Sequence, residues 1–167
     1  IYATTDWSKC RAVVFLDPFG NQIAWDTLEA IAKTQASDVW YLFPAGLGVH
    51  RQIPKKGKPQ TKAAESITKM LGSDDWIRLF TSQTVTEDLF GEAQIDTHRA
   101  GDASAKRVTE HAIARLGAIF RGGVAEGYVS LGGKAVPWYS LIFACSNPSK
   151  AAKTLAHKVA GWIISHA

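Results

Sequence analysis

Two short apolar runs dominate the first fifty residues. Residues 12–16 (AVVFL) and residues 39–43 (VWYLF) are each continuously apolar. Runs of this length are typical of strands that are covered on both faces, as in a parallel sheet. Residues 22–34 between them carry apolar side chains at helical spacing. The order strand, helix, strand predicts a βαβ unit with two parallel strands and a right-handed crossover.

Beyond the second run the pattern predicts helices and one hairpin. Residues 61–71 have helical spacing and end at Gly72, a residue suited to the left-handed cap of a helix. Residues 127–146 contain two arms around Gly132-Gly133, which is typical of a β-hairpin with a tight turn. Helices are also predicted over residues 103–121 and 149–166, and residues 84–102 are expected to be irregular or weakly helical.

These elements predict a single α/β domain over residues 1–167, with a helical insert at about residues 49–102. The sheet is expected to be mostly parallel and to end in the antiparallel hairpin. Apolar residues make up 46% of the chain, which is enough for a core. The six tryptophans are expected mainly in that core or at helix contacts. The last helix should pack through one apolar stripe: Ala152, Leu155, Val159, Trp162 and Ile163.

Positive charge is concentrated in particular segments of the chain. The net charge is +4, and residues 51–62 hold five basic residues without an acidic one. Lys55, Lys56 and Lys58 are the centre of this basic loop. Such a segment is compatible with a polyanionic partner, so nucleic acid is a candidate ligand.

The cysteines and histidines show no metal-site spacing. Cys10 and Cys145 are far apart in sequence, which favours neither a disulfide framework nor a zinc site and makes a reducing cytoplasm the expected location. The five histidines are scattered, so no metal is expected. The longest apolar run, residues 136–145, is too short to span a bilayer, and no membrane association is predicted.

The strongest candidate site lies where the two parallel strands end. Ligands of open α/β sheets bind outside the carboxyl ends of the strands. Asp17 follows the first strand within the segment DPFG, and His50 and Arg51 follow the second. Asp17 could accept a hydrogen bond from a substrate amine or hydroxyl, or it could simply form a turn before Pro18.

The segment VVFLDPFGNQIAWDTLEAIAKTQASDVWYLFPAGLGVHR resembles the three-Cys-motif partner proteins, the TcmP family. LGSDDWIRLF, the later LFG at residues 89–91, and the carboxyl-terminal WYSLIFACSNPSKAAKTLAHKVAGWI are similar as well. The resemblance implies a Rossmann-like, class I methyltransferase-type sheet, of which this chain is the C-terminal half. It also implies the cofactor S-adenosylmethionine and a partner, a three-cysteine-motif protein resembling radical S-adenosylmethionine enzymes.

The resemblance also assigns roles to the DPFG segment. Amino-methyltransferases carry Asp or Asn, Pro, Pro and an aromatic residue there. Asp17 and the carbonyl of Pro18 would accept the two hydrogens of a substrate amine and would border the cofactor. Phe19 stands where the second proline is usual and would take over the stacking role, because Gly20 occupies the position of the aromatic ring. The glycine-rich cofactor loop would lie upstream of Ile1.

Two other functions remain open. The protein could be a non-catalytic module that keeps the fold and binds nucleic acid or another protein through its basic loop. It could also be a nuclease or phosphotransferase that uses Asp17 with Asp74 or Asp75, although no ligand spacing supports this. The pair Asp74-Asp75 is better explained as acidic residues in the first turn of a short helix.

Overall fold

The fold is built around a mixed sheet with helices on both faces. The computed structural model describes residues 4–87 and 92–167. Strand β1 (Ala12–Leu16) and strand β2 (Ser37–Phe43) are joined by helix α1 (Trp25–Lys33). They pair in parallel, with Ala12 opposite Ser37 and Leu16 opposite Tyr41. The predicted βαβ unit with parallel strands is therefore confirmed, and both carboxyl ends lie at one edge of the sheet.

The carboxyl-terminal part adds three antiparallel pairings to this sheet. Strand β7 (Tyr139–Cys145) pairs with β2, and the short strands β5 (Gly123–Val124) and β6 (Val129–Leu131) pair with β7. The strand order is β1-β2-β7-β5, with β6 also bonded to β7. The expectation of a mostly parallel sheet was wrong, because β7 returns from the hairpin against the direction of β2. Gly132 and Gly133 adopt the predicted positive φ angles in the connection.

The insert is only partly helical. After a π-helix (Ala45–His50), helices α2 (Thr61–Leu71) and α3 (Asp75–Phe80) are followed by strands β3 (Thr81–Glu87) and β4 (Ala93–Arg99). The two strands form an antiparallel sheet of their own. The prediction of irregular or weakly helical structure there was wrong. The β-branched residues Thr84, Val85 and Thr86 suit a strand, and the pairing of the two segments outweighs their low hydrophobicity.

The main core lies between the sheet and helices α1, α2 and α4 (Ala105–Ile119). Its largest fully buried side chains include Trp76, Phe43 and Phe80. Helix α4 confirms the helix predicted over residues 103–121, and it buries Val108, Ala112 and Leu116. Gly72 ends α2 with φ 71°, as predicted. Phe43, at the carboxyl end of β2, belongs to this core, so the core fixes the strand end at which the candidate site lies.

The other face of the sheet is only partly covered. Helix α5 (Lys150–Ser165) lies over β7 and buries Ala160. Its predicted packing stripe is largely exposed, since Leu155 and Trp162 are each 65% exposed and Val159 is 51% exposed. Strand β1 is likewise not covered on both faces, because Val13 and Phe15 are 70% and 60% exposed. The apolar run of β1 therefore belongs to a strand with one open face, and not to one covered on both faces.

Candidate functional site at the carboxyl ends of β1 and β2

The DPFG segment forms an exposed ledge directly after β1. Asp17 is exposed, Pro18 is buried, and Phe19 is 89% exposed. Gly20 has φ 69°, a left-handed conformation that side chains other than glycine rarely adopt. A β-carbon at Gly20 would meet nothing within 4 Å, so the glycine is needed for the backbone and not for space. This turn points the aromatic ring of Phe19 into solvent.

A hydrogen bond ties this ledge to the end of the second strand. The side-chain amide of Asn21 donates to the carbonyl oxygen of Gly48 at 2.7 Å. A β-carbon at Gly48 would lie 2.0 Å from the Asn21 Oδ1 atom and 2.8 Å from the Pro44 ring. Only glycine permits that approach. The GLG segment at residues 46–48 is therefore the surface against which the loop after DPFG is held.

The π-helix that follows β2 is held by the hairpin connection. The backbone N–H groups of Gly46 and Leu47 both donate to the carbonyl oxygen of Trp138, at 3.0 and 3.3 Å. A β-carbon at Gly46 would lie 2.0 Å from the carbonyl oxygen of Pro137. The first glycine of GLG is thus required by a close backbone approach. Three segments that are distant in sequence meet at this edge of the sheet.

His50, at the end of the π-helix, lines a small basic cavity. Arg99 donates from Nη1 to the His50 carbonyl oxygen at 2.8 Å, and the Arg99 backbone N–H donates to Pro54. The cavity of about 290 Å³ is also lined by Lys55 and Ser104. Burial, followed by the nearby Arg99 charge, holds the pKa of His50 below its usual value. The imidazole is therefore mainly neutral near pH 7.

The basic loop and the β3–β4 hairpin form a second groove, which we call the hairpin groove. It has a volume of about 400 Å³ and is lined by Lys55, Lys56, Gly57, Thr84, Thr86, Asp96, Thr97 and His98. No described salt bridge involves either lysine. Thr97 is 8% exposed, and its hydroxyl has no hydrogen-bond partner among the described residues. The groove thus offers two positive charges without a described salt-bridge partner, the carboxylate of Asp96 and a buried hydroxyl.

The structure divides the predicted site residues into two groups. Asp17, Pro18, Phe19 and Gly20 form the ledge, whereas His50, Lys55 and Lys56 line the two basic cavities. Arg51 and Lys58 are exposed and line neither of them. None of the four ledge residues lines either cavity. Sequence reasoning missed Asn21, Arg99 and Thr97, and the only available signal was the Asn directly after DPFG.

The ledge residues do not enclose a cofactor. Asp17 and Phe19 are exposed, and the space beside Gly20 is open to at least 4 Å. A nucleoside cofactor needs a concave site that buries most of its surface. The described residues therefore supply an acceptor edge and do not fit S-adenosylmethionine as a complete pocket.

Residues that could support other chemistry are dispersed. Among residues 4–87 and 92–167 there is no group of three or more His, Cys, Asp or Glu side chains placed to hold a metal ion. Asp74 is the N-cap of α3 and Asp75 lies in its first turn.

Burial, together with a hydrogen bond and the charge of Asp38, raises the pKa of the Cys145 thiol to about 11, so that thiol is protonated at neutral pH.

Comparison with known proteins gives no support for any single family. No helix among the described residues is both long and apolar enough to cross a bilayer. The LFG segment at residues 89–91, one part of the resemblance, lies outside the described residues. No protein family matches the chain, no curated protein matches it, and no solved structure matches it.

Proposed function

We propose that the protein is a TcmP-like methyltransferase-fold protein whose DPFG ledge binds a substrate amine. One observation carries the proposal: Asp17 lies directly after a strand whose parallel neighbour, β2, is followed in the sheet by the antiparallel strand β7. An antiparallel strand beside the fifth strand is expected in the class I methyltransferase sheet. In that scheme β1 is the fourth strand, β2 the fifth and β7 the seventh.

The chemistry of the ledge suits an amine. A conjugated amine is a weak nucleophile because its lone pair is shared with the ring to which it is attached. The exposed Asp17 carboxylate would accept one N–H hydrogen and the carbonyl of Pro18, a buried residue, would accept the other, so that the lone pair points away from both acceptors. Such positioning supplies much of the rate of a transfer reaction. Bound S-adenosylmethionine would supply the electrophilic methyl group.

The exposed ring of Phe19 favours a planar substrate. Its ring is 89% exposed, next to Asp17, although an aromatic side chain of this size is normally buried. A planar base can stack on such a ring, and stacking is worth about 1–3 kcal/mol per base in single-strand binding proteins. A nucleobase with an exocyclic amine would therefore use both features of the ledge. Its amine would bind the two acceptors, and its ring would stack on Phe19. The three-cysteine-motif partner implied by the resemblance belongs to this proposal as well.

The test measures cofactor binding and methyl transfer separately. Calorimetry with S-adenosylmethionine should detect binding to the complete gene product, and labelled methyl groups should appear in RNA or DNA. Asp17→Ala removes the side-chain acceptor, and we expect transfer to fall at least about 100-fold, as for the loss of a positioned acid or base. Gln22→Ala, an exposed neighbour, is the control. Absence of cofactor binding, with and without nucleic acid, would overturn the proposal.

A second candidate function is nucleic-acid binding without catalysis. The hairpin groove favours it, because Lys55 and Lys56 have no described salt-bridge partner there and Thr97 offers a buried hydroxyl. A phosphate backbone that enters the groove would release counterions, so affinity should depend on salt. This function needs the groove and not Asp17.

Charge reversal at the groove distinguishes the two candidates. Lys55→Glu with Lys56→Glu should weaken binding of single-stranded nucleic acid strongly at low salt and lower the log–log salt slope by about one per lysine. Lys158→Glu, on the exposed side of α5, is the matched control. Asp17→Ala should leave this affinity unchanged. A groove variant that binds as well as the parent would exclude the binding function.

A further inference from the structure

Four segments of the chain build the small basic cavity at the end of the π-helix. We call it the Arg99 cavity and define it by His50, Lys55, Arg99 and Ser104, which line a space of about 290 Å³. These residues belong to the π-helix, the basic loop, the last position of β4 and the N-cap of α4. Among the described residues, no acidic side chain lines this space. The cavity therefore presents cations from separate elements without a carboxylate in its wall.

The guanidinium of Arg99 is held in place and keeps most of its donors. Its Nη1 atom donates to the His50 carbonyl oxygen at 2.8 Å, and the Arg99 backbone N–H donates to the Pro54 carbonyl oxygen at 3.2 Å. A guanidinium has five N–H donors, so the described side-chain bond leaves four. Neither Arg99 nor Lys55 takes part in a described salt bridge. A fixed planar fork beside a lysine ammonium is suited to the oxygens of a phosphate.

Helix α4 begins at the wall of the same cavity and adds to its positive potential. The Ser104 side chain accepts a hydrogen bond from the Arg107 backbone N–H at 3.2 Å, and the first turn holds no acidic residue. The N–H groups of Ala105 and Lys106, which come before Arg107, have no acceptor within the helix. Asp102 lies just before the helix, and its carboxylate pairs with Arg107. The amino-terminal end of α4 thus favours an anion in addition to the arginine and the lysine.

The Arg99 cavity and the hairpin groove are neighbours. Lys55 lines both of them, whereas Arg99 lines only the cavity and Lys56 lines only the groove. A nucleic-acid backbone follows a continuous path of positive charge. A strand that leaves the Arg99 cavity would therefore meet Lys55 and then the groove.

The π-helix also connects the Arg99 cavity to the ledge. Asn21 donates to the Gly48 carbonyl oxygen at 2.7 Å, and Arg99 donates to the His50 carbonyl oxygen at 2.8 Å. Two residues of chain span at most about 7 Å, so the two donor nitrogens lie within about 13 Å of each other. A strand with one phosphate per about 3.4 Å of its axis covers that distance in about four nucleotides. One short strand can therefore reach both places.

We propose that the Arg99 cavity binds a backbone phosphate of the nucleic-acid strand whose base occupies the ledge. The phosphate oxygens accept hydrogen bonds from the Arg99 guanidinium and the Lys55 ammonium. The choice of nucleic acid rests on the proposed function, whereas the phosphate site needs neither Asp17 nor a cofactor. A phosphate contact carries no sequence information but fixes the register of the strand. The cavity thereby determines which nucleotide, counted from the bound phosphate, lies at Asp17.

Titration of the unaltered protein with inorganic phosphate tests the site directly. We expect the amide signals of Gly101 and Ser104 to shift and to saturate at phosphate concentrations of about 1–20 mM, the weak affinity of a single small anion. Sodium chloride at the same ionic strength is the control and should not reproduce the shifts. The absence of a saturating shift at both amides would overturn the proposal.

Variants of three basic residues test the binding of a strand. Fluorescence anisotropy with a 5′-hydroxyl oligodeoxyadenylate of about eight nucleotides, twice the estimated span, measures the affinity. Arg99→Gln should weaken it about tenfold or more, the size expected when hydrogen bonds to a charged group are lost. Arg121→Gln removes the same charge from an exposed position after the carboxyl end of α4 and should bind like the parent. If Lys56→Gln weakened binding and Arg99→Gln did not, only the hairpin groove would hold the strand and the proposal would be wrong.

The salt dependence separates a phosphate contact from a change in the π-helix. Arg99→Gln should lower the log–log salt slope by about 0.7, the value for one phosphate of a single strand, whereas Arg99→Lys should keep the slope. A slope lowered equally in both variants would mean that Arg99 acts only by holding His50, which overturns the site.

The source of the phosphate is identified with a second oligonucleotide that carries a 5′-phosphate. Both oligonucleotides should depend on Arg99 equally. If only the phosphorylated one did, the ligand would be a terminal phosphate and the backbone assignment would be wrong. None of these measurements uses S-adenosylmethionine. A failure to bind that cofactor would therefore overturn the proposed function alone, and an Arg99→Gln protein that binds the strand like the parent would overturn this site alone.

Discussion

The Asn21 side chain donates a hydrogen bond across 27 residues to the carbonyl oxygen of Gly48, at 2.7 Å. This bond joins the loop after β1 to the π-helix after β2, so the two strand ends behave as one surface. The ledge itself exposes Asp17 and Phe19 and buries Pro18, and Asn21 adds a side-chain bond to the neighbouring loop. Its geometry therefore depends on a residue that takes no direct part in the proposed chemistry.

Asn21→Ala should loosen the ledge. Loss of a partly buried hydrogen bond leaves the Gly48 carbonyl without this partner, and we expect a loss of about 1–2 kcal/mol in the free energy of unfolding. Urea denaturation measures it, with Gln22→Ala as the exposed control. A difference below about 0.3 kcal/mol between the two variants would mean that the bond does not hold the ledge.

Gly46→Ala and Gly161→Ala should have opposite effects. A β-carbon at Gly46 would lie 2.0 Å from the Pro137 carbonyl oxygen, and the backbone on both sides cannot yield without breaking the bonds to Trp138. We expect a loss of more than about 2 kcal/mol there. Gly161 lies inside α5 with nothing within 4 Å, so alanine should stabilise the helix by up to about 1 kcal/mol. Thermal melts of both variants measure these changes in stability. A Gly46→Ala protein as stable as the parent would contradict the close approach of residue 46 to the Pro137 carbonyl oxygen.

Tyr41→Phe should be neutral or stabilising. The Tyr41 hydroxyl is buried without a hydrogen-bond partner among the described residues, and burial raises its pKa. Removing an unsatisfied buried hydroxyl removes a desolvation cost. Thr109→Val is the contrasting change, because the Thr109 hydroxyl bonds the Ser140 hydroxyl at 2.7 Å in the core. We expect that variant to lose about 1–3 kcal/mol. If Tyr41→Phe lost as much in urea melts, the tyrosine hydroxyl would have an unseen partner.

Stability should fall below neutral pH, partly because of His111. Burial, followed by the charge of Arg115, holds the pKa of His111 below its usual value of 6.5, with Asp75 opposing the shift. The unfolded chain therefore takes up this proton at a higher pH than the folded protein. The stabilising contribution is fully present above pH 6.5 and is lost as the pH falls through the lowered pKa. His111→Gln should flatten the decline in unfolding free energy between about pH 7 and 5, and an unchanged slope would contradict it.

The sequence predicted regular elements well and their surroundings poorly. The runs at residues 12–16 and 39–43 identified the parallel pair, because a continuous apolar run is a local signal that predicts a strand. They did not reveal that Phe15 is open on one face, since coverage depends on where α5 lies. The hairpin β3–β4 was missed because its residues are polar and only their mutual pairing makes them strands. Asn21 and Gly48 could not be linked, because a contact between distant loops leaves no local pattern.

The carbonyl oxygen of Trp138 accepts the N–H groups of Gly46 and Leu47. The residues that it joins are separated by 138 − 46 = 92 positions. At synthesis rates of about 5–20 residues per second, the end of β2 leaves the ribosome roughly 5–20 s before its acceptor. During that interval the βαβ unit can form, but the π-helix cannot take its final shape. The candidate site is therefore completed only after its own residues have been made, and chains that end before Trp138 should have β1 and β2 without the bonds that hold the π-helix.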